Sequence, residues 1–236
     1  YFDMLGIPYS NCGVLASALT FNKFTCNNFL KSFGVRVAPS MVLRATDSYT
    51  PKQIAAELGL PVFVKPNSGG SSFATTKVST TAEMKGAIEK AFREAPEVII
   101  EQFIAGTEVT CGCYEAGKEI IALPLTEVVP ANEFFDFDAK YNGQVEEITP
   151  ARIPASITLA IQEETKKIYR LLGAKGIIRA DYILQGGEPV LLEVNTTPGM
   201  TGTSFIPQQV EAAGLSMGDV LSEIIETEYA KIHLKR

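Results

Sequence analysis

Apolar positions along this chain follow two rhythms, one helical and one alternating, and the switches between them mark the elements. The first forty residues read as helical with breaks; Asn22 is placed to cap a helix that runs to about Phe33, where Gly34 ends it. Met41-Val-Leu43 is a short strand. Thr50-Pro-Lys-Gln53 is a capping box with proline at the first helical position, and Gly59 stops that helix. Pro61-Val-Phe-Val-Lys65 is a buried strand. Thr80-Thr-Ala-Glu83 is a second capping box, opening a helix to about Glu94, and Val98-Ile-Ile-Glu101 is the next strand. Residues 108–114 and 119–125 read as a hairpin around Ala116-Gly117. Ile157, Ile161, Ile168 and Leu172 share one face of a helix over 156–172. Residues 177–184 and 189–195 alternate as a second hairpin, and a last helix runs from about Ser216 to Ile232. Strands followed by helices, mixed with antiparallel hairpins and free of internal repeats, predict an α+β fold with two lobes.

The same alternation places charge. Arg179 and Asp181 share one face of the second hairpin's first strand, and Glu193 and Asn195 share one face of its second. A register that sets Asp181 opposite Glu193 puts all four on one side. It needs an odd loop, for example three residues around Gly186 and Gly187, with a bulge. Two carboxylates and an amide beside an arginine form a hard oxygen donor set, suited to Mg²⁺ that also holds substrate phosphates. The alternative is a surface hairpin with scattered charges. Against it, Glu193 lies inside Val190-Leu-Leu-Glu-Val194, where a buried strand does not ordinarily place an unpaired carboxylate.

Composition narrows the class. At 236 residues and 46% hydrophobic content the chain has material for one large domain or two small lobes. A net charge of −6 without a basic run argues against a general nucleic-acid binder. No apolar run reaches the roughly 18–20 residues that span a bilayer, so no membrane role is expected. The chain opens at Tyr1 without an initiator Met or a signal peptide, mid-pattern, so an N-terminal part of the natural protein is expected to be absent. Cys12, Cys26, Cys111 and Cys113 form no C-x-x-C pair and read as small buried hydrophobes, which fits a reducing, cytoplasmic setting. His233, the single histidine, lies in the polar C-terminal tail, which argues against a Ser/His/Asp or Cys/His triad.

Two further stretches carry chemistry. In Lys65-Pro-Asn-Ser-Gly-Gly-Ser-Ser72 a lysine ends an apolar strand and a Gly/Ser loop follows. Successive backbone N–H groups in such a loop form an anion-binding concavity, and the lysine supplies a point charge for phosphate. The lysine precedes the glycines, so this is not a Walker A loop, and alone it reads first as a plain glycine turn. Residues 130–154 lack a helix or strand period but hold Phe134-Phe-Asp-Phe-Asp-Ala-Lys-Tyr141. A loop this long suggests a lid centred on Lys140 and Tyr141; its aromatic content argues against disorder. It is expected to be mobile without nucleotide and to fold over the phosphates when ligands bind.

Taken in order, these motifs resemble the D-alanine–D-alanine ligase family of ATP-grasp enzymes. The resemblance rests on Lys23, Lys65-Pro with Gly70-Ser-Ser72, Glu101-Gln-Phe-Ile104 with Glu108, Asp138-Ala-Lys-Tyr141, Arg179-x-Asp181, and Leu192-Glu-Val-Asn-Thr-Thr-Pro-Gly-Met200. It covers nearly the whole chain and implies two lobes of antiparallel sheet enclosing a nucleotide. The implied division is 1–22 as remnant or linker, 23–107 as central lobe and 108–236 as C-terminal lobe. The implied reaction joins two D-alanines through an acyl phosphate, with ATP and two Mg²⁺ ions (Mn²⁺ as an alternative), for peptidoglycan precursors. By the same resemblance, Lys23, Lys65 and Ser72 contact phosphates, Glu101, Gln102 and Ile104 border adenine, and Glu108 takes the ribose hydroxyls. Lys140 reaches the γ-phosphate. Asp181, Glu193 and Asn195 bind metal, and Arg179 and the Gly199 N–H surround the oxyanion. Ser204 and Phe205 meet the second substrate, and Ser71 and Tyr141 lie near the first. The family's N-terminal domain, through which it dimerises, completes that first site. Two departures stand out: Gly69 where a larger residue is frequent, and Ala74 where glycine is common, which stiffens the loop. D-alanine–D-lactate or D-alanine–D-serine ligation is the rival within the fold, although Tyr141 stands where the lactate variant tends to carry histidine. A module that binds Mg-ATP without ligating is the rival outside it.

Overall fold

A computed structural model describes residues 1–70, 73–130 and 145–233. Three helices lead in: α1 (Phe2–Leu5), α2 (Val14–Phe21) and α3 (Lys23–Lys31). The first sheet contains β1 (Ser40–Arg44), β2 (Val62–Pro66), β3 (Thr76–Val78) and β4 (Glu97–Gln102), antiparallel in the order β1-β4-β2-β3. Its helices are α4 (Pro51–Leu58) and α5 (Thr81–Phe92). Alternation divides the sheet. Val62, Val64, Val98 and Ile100 meet Ile54, Leu58, Met84 and Ile88 in a closed core. Phe63, Lys65 and Glu101 take the other face, Phe63 standing opposite Glu101. The capping box at Thr50 forms as expected: the Gln53 N–H donates to Thr50 Oγ1 and the Thr50 N–H to Gln53 Oε1.

The second sheet holds β5 (Thr107–Ala116), β6 (Glu119–Ala122), β7 (Thr126–Pro130), β8 (Val145–Ile148), β9 (Ile177–Gln185) and β10 (Glu188–Asn195). Its order is β10-β9-β5-β7-β8, with β6 also on β5. α6 (Ala155–Leu171) covers one face: Ile161, Ile168 and Tyr169 pack with Cys111, Cys113, Ala180 and Tyr182. Cys26 and Leu30 of α3 join this core, so α3 packs on the second sheet although it precedes the first. α7 (Phe205–Ala212) and α8 (Met217–His233) pack on the other side, where Ile206, Val210, Val220 and Ile224 meet Tyr114 and Leu123. All four cysteines are free and buried.

Three expectations change. The strand expected over 119–125 splits, because β5 pairs with β6 only at Cys113–Ala116 and with β7 only at Glu108–Thr110. Pro124 lies at the break and has no N–H for a ladder. Within the stretch read as aperiodic, Val145–Ile148 is a strand on β7; Val-Glu-Glu-Ile has no alternation to announce it, and its neighbour in the sheet decides. α7 was not expected; Ser204 at its N-cap is the signal that could have found it.

The hairpin loop is also shorter than expected. Gln185 pairs with Glu188, leaving two residues, Gly186 (φ 62°) and Gly187 (φ 88°). Two positive φ values suit a tight hairpin turn that glycine adopts without strain. The odd residue enters the strand instead, as a bulge at Leu192 between Leu191 and Glu193.

Candidate active site

The bulge decides which face Glu193 takes. With a two-residue loop and an unbroken ladder, Leu192 would stand opposite Asp181 and Glu193 would turn toward the core. With it, Leu191 stays in the core, Glu193 pairs with Asp181 and Asn195 with Arg179. The Leu192 carbonyl accepts from Nδ2 of buried Asn27 on α3 at 3.1 Å. On the other side of β9, β5 sets Thr110 opposite Asp181 and Gly112 opposite Arg179.

The four expected residues converge. Arg179 grips Asp181 with two bonds, Nε to Oδ1 at 2.7 Å and Nη2 to Oδ2 at 2.8 Å. Asn195 Nδ2 donates to Asp181 Oδ2 at 3.0 Å and to Glu193 Oε1 at 3.4 Å. Lys23, the first residue of α3, sets its Nζ 3.3 Å from Glu193 Oε2 and donates to the Gly69 carbonyl at 2.8 Å. Lys65 pairs with Glu101 across the first sheet's inner face. Burial pushes the Glu193 carboxyl up, but Lys23, Lys65 and Arg179 pull it down further, to about 2. Lys65 and Arg179 show the converse. Burial lowers both, and facing carboxylates, Glu101 first for Lys65 and Asp181 first for Arg179, raise them beyond the loss. Glu108 contributes to both fields.

Other expected residues take varied positions. Gly199 accommodates Ser204, whose Oγ would lie 2.7 Å from a Cβ at that glycine. Ser204 Oγ accepts from the Thr201 N–H at 3.2 Å and lies 2.8 Å from Thr201 Oγ1. The Phe205 ring lies 5.1 Å from Arg179 Cζ, a cation–π distance. Gln102 turns its side chain away, donating to the Leu58 carbonyl at 3.0 Å; Ile104 is half-buried just beyond β4. Ser71, Ser72, Lys140 and Tyr141, and with them the expected lid, lie outside the described residues.

Sequence reasoning missed an aromatic corner and a buried amide. Phe63 and Phe103 meet edge to face at 5.8 Å, and Lys77 Nζ lies 4.0 Å from the Phe103 ring centre. Phe63 lies two residues before Lys65 in the same strand, a period that could have found it. Gln209 on α7 is fully buried. It accepts from the Gly112 N–H at 2.8 Å and donates to the Thr110 carbonyl at 2.9 Å and Thr126 Oγ1 at 3.1 Å.

Asp181, Glu193 and Asn195 fit a hard divalent cation. Both carboxylates lie on one face, with the Asn195 amide between them presenting Nδ2, so an amide flip would bring Oδ1 to the ion; the buried Thr110 hydroxyl opposite Asp181 has no hydrogen-bond partner among the described residues. No group of three or more His, Cys, Asp or Glu side chains suited to a metal occurs among the described residues, so an ion there would need the Asn195 amide as its third side-chain donor.

Two antiparallel sheets with flanking helices, one presenting lysine and the other paired carboxylates, define the open two-lobe ATP-grasp architecture. Residues 29–226 match the family described as "D-ala D-ala ligase C-terminus", and the chain belongs to the D-alanine–D-alanine ligase family. It is 64% identical over 230 residues to the D-alanine–D-alanine ligase of Parabacteroides distasonis, covering 97% of this chain and 69% of that protein. It is 58% identical to that of Bacteroides fragilis over 97% of this chain and 71% of the relative. Among solved structures, a D-Ala:D-Ser ligase from Enterococcus faecalis superposes with a TM-score of 0.88 at 36% identity, covering 96% of this chain and 67% of that one. The Bacillus anthracis D-alanine–D-alanine ligase complexed with ATP gives 0.84 at 30% identity, covering 100% and 75%. Among the described residues no helix is long and apolar enough to cross a membrane.

Proposed function

We propose that this protein joins two D-alanines to D-alanyl-D-alanine at the expense of ATP, supplying a peptidoglycan precursor. The observation that carries the reading is the convergence of Lys23, Arg179, Asp181, Glu193 and Asn195 on one face, in a chain 64% identical to a D-alanine–D-alanine ligase. A carboxylate is a poor acyl donor, so ATP first phosphorylates one D-alanine. The amine of the second attacks the acyl phosphate, and phosphate leaves. Lys23 and Lys65 hold phosphate oxygens. Glu101, the main chain of Gln102, and Ile104 border the base, and Glu108 takes the ribose hydroxyls. Asp181, Glu193 and Asn195 would hold Mg²⁺, two ions in the full reading with Mn²⁺ as substitute, which when bound neutralises charge on the transferring phosphoryl group. Arg179 and the Gly199 N–H stand where oxyanion charge develops, and electrostatic positioning of this kind supplies much of such catalysis. Ser204 and Phe205 face the second substrate. Ser71, Ser72, Lys140 and Tyr141 belong to the same reading, as do lobes divided at 23–107 and 108–236, cytoplasmic action and a homodimer.

The test is ATP-dependent phosphate release with D-alanine, D-serine and D-lactate as second substrates. Release that requires D-alanine and yields the dipeptide supports the reading. Preference for D-serine, as in the name of the Enterococcus faecalis relative, would move the assignment within the family. ATP binding without release under any substrate would reduce this chain to a nucleotide-binding module.

A further inference from the structure

We propose that Asn67, with Asn22 and Glu97, is a latch that fixes α3 to the first sheet so that Lys23 and Lys65 meet the phosphates as a pair. Asn67 is thus a positioning residue that the reaction chemistry itself does not reveal.

The first backbone N–H groups of an α-helix have no partner within it and are usually met by its own N-cap or by water. In α3 two of the first three are met by one residue just past the end of β2. The Lys23 N–H donates to the Asn67 carbonyl at 3.0 Å and the Phe24 N–H to Asn67 Oδ1 at 2.9 Å. The third, Thr25 N–H, donates to Asn22 Oδ1 at 2.9 Å. Asn67 is 1% exposed, and its remaining groups are engaged as well. Its N–H donates to the Glu97 carbonyl at 2.9 Å and its Nδ2 to Glu97 Oε2 at 2.8 Å. Asn22 Nδ2 reaches the same oxygen at 3.3 Å, and Arg44 Nε holds the other at 2.9 Å. These bonds keep the Glu97 carboxyl below its usual range, the Asn67 amide being the largest cause.

Placement gives the latch its consequence. α3 is tied to the second sheet by Lys23 on Glu193 and Asn27 on the Leu192 carbonyl. Asn67 ties the same helix to the first sheet, two residues past Lys65. One buried amide thereby sets how the two lysines, one from each side of the site, are spaced. A glycine or serine there would leave the chain path intact and the pair unset.

This inference rests on the nucleotide reading above, and titration calorimetry with Mg-ATP on the chain as it stands tests it. Asn67→Asp keeps the acceptor for the Phe24 N–H but sets a carboxylate against Glu97. Glu97→Gln added to it restores the bond with its direction reversed, losing only the longer 3.3 Å bond from Asn22 Nδ2. Asn67→Asp is expected to weaken Mg-ATP about tenfold and the double variant to return within about threefold of the parent. In a Lys23→Gln background Asn67→Asp should cost clearly less than tenfold, because the lysine it positions is gone. Losses that simply multiply would assign Asn67 a merely structural role and overturn the proposal. Unchanged affinity in Asn67→Asp would overturn it and leave the nucleotide reading standing, whereas no binding by the unaltered chain would overturn both. If Asn67→Asp does not fold, Asn22→Asp, which keeps the cap on the Thr25 N–H and removes only the arm to Glu97, carries the same cycle with about a threefold loss; independence from Lys23 would again refute the latch.

Discussion

Ala74 holds φ at 56°, the one non-glycine residue with positive φ among those described, and it is buried. A left-handed conformation costs an L-residue roughly 1–2 kcal/mol, from which the greater freedom of an unfolded glycine subtracts about 0.4–1. Ala74→Gly is therefore expected to stabilise the protein by about 0.5–1 kcal/mol in urea unfolding; a loss of stability would show that the alanine methyl matters more than the strain. The departure from glycine was legible in the sequence as a stiffer loop; that the alanine accepts the glycine conformation was not, because only the fold imposes φ. Glu193 gives a second test at this scale. Its folded pKa is about 2 against an ordinary 4.5. A carboxylate lowered in this way contributes stability that is fully present above pH 4.5 and lost as pH falls through about 2. Glu193→Gln should flatten the acid side of the stability curve between those limits. An unchanged slope in urea melts would mean that Lys23, Lys65 and Arg179 do not hold the carboxylate as described.

Among the elements, β5 leaves a gap in its own ladder. Between the last pairing with β7 at Thr110 and the first with β6 at Cys113, two residues lack a strand partner on that side. Gln209 fills part of the gap from α7, meeting the Gly112 N–H and the Thr110 carbonyl. Phe205 lies four residues earlier on the same helix, so the amide that completes the ladder also seats Phe205 against Arg179. Gln209→Leu orphans a buried donor and acceptor, each costing about 1–3 kcal/mol, so a total loss of roughly 2–6 kcal/mol is expected in chemical denaturation. A loss below about 1 kcal/mol would show that water replaces the amide. No local pattern announces Gln209, since glutamine is usually exposed and its burial depends on a strand break far away in sequence. The bulge at Leu192 was legible only as an unpaired count. A register with Asp181 opposite Glu193 required an odd residue, but whether it sat in loop or strand depended on Gly186-Gly187 closing in two residues and on Asn27 meeting the free carbonyl. Capping boxes and the last helix, by contrast, are local and were read correctly.

For the whole molecule, the order of the motifs along the chain carries more information than any one of them. Lys23, Lys65, Asp181 and Glu193 are far apart in sequence, and it was the succession of loose motifs that linked them. Their meeting place depends on α3, which the sequence places beside the first sheet and the packing places on the second. Nucleotide should therefore act on the entire fold. Mg-ATP at about a hundred times its dissociation constant is expected to stabilise the protein by roughly 2.7 kcal/mol if only the native state binds it. A melting temperature unmoved by millimolar Mg-ATP would count against a formed site.

The four buried thiols have a use outside the chemistry of the site. Burial pushes Cys26 and Cys111 up to about 12, and Cys12 and Cys113 up as well. At pH 8 the folded chain then presents almost no thiolate to an alkylating reagent, and modification has to wait for each region to open. Labelling rates become a map of local opening energies: Cys12 in the lead-in segment, Cys26 on the helix between the lobes, and Cys111 and Cys113 in the central strand. Cys12 is expected to react first and the β5 pair last, as followed by mass spectrometry of peptides. Saturating Mg-ATP should slow Cys26, three residues beyond Lys23, while Cys12 keeps its pace; equal slowing at every thiol would mean that the chain opens only as a single unit.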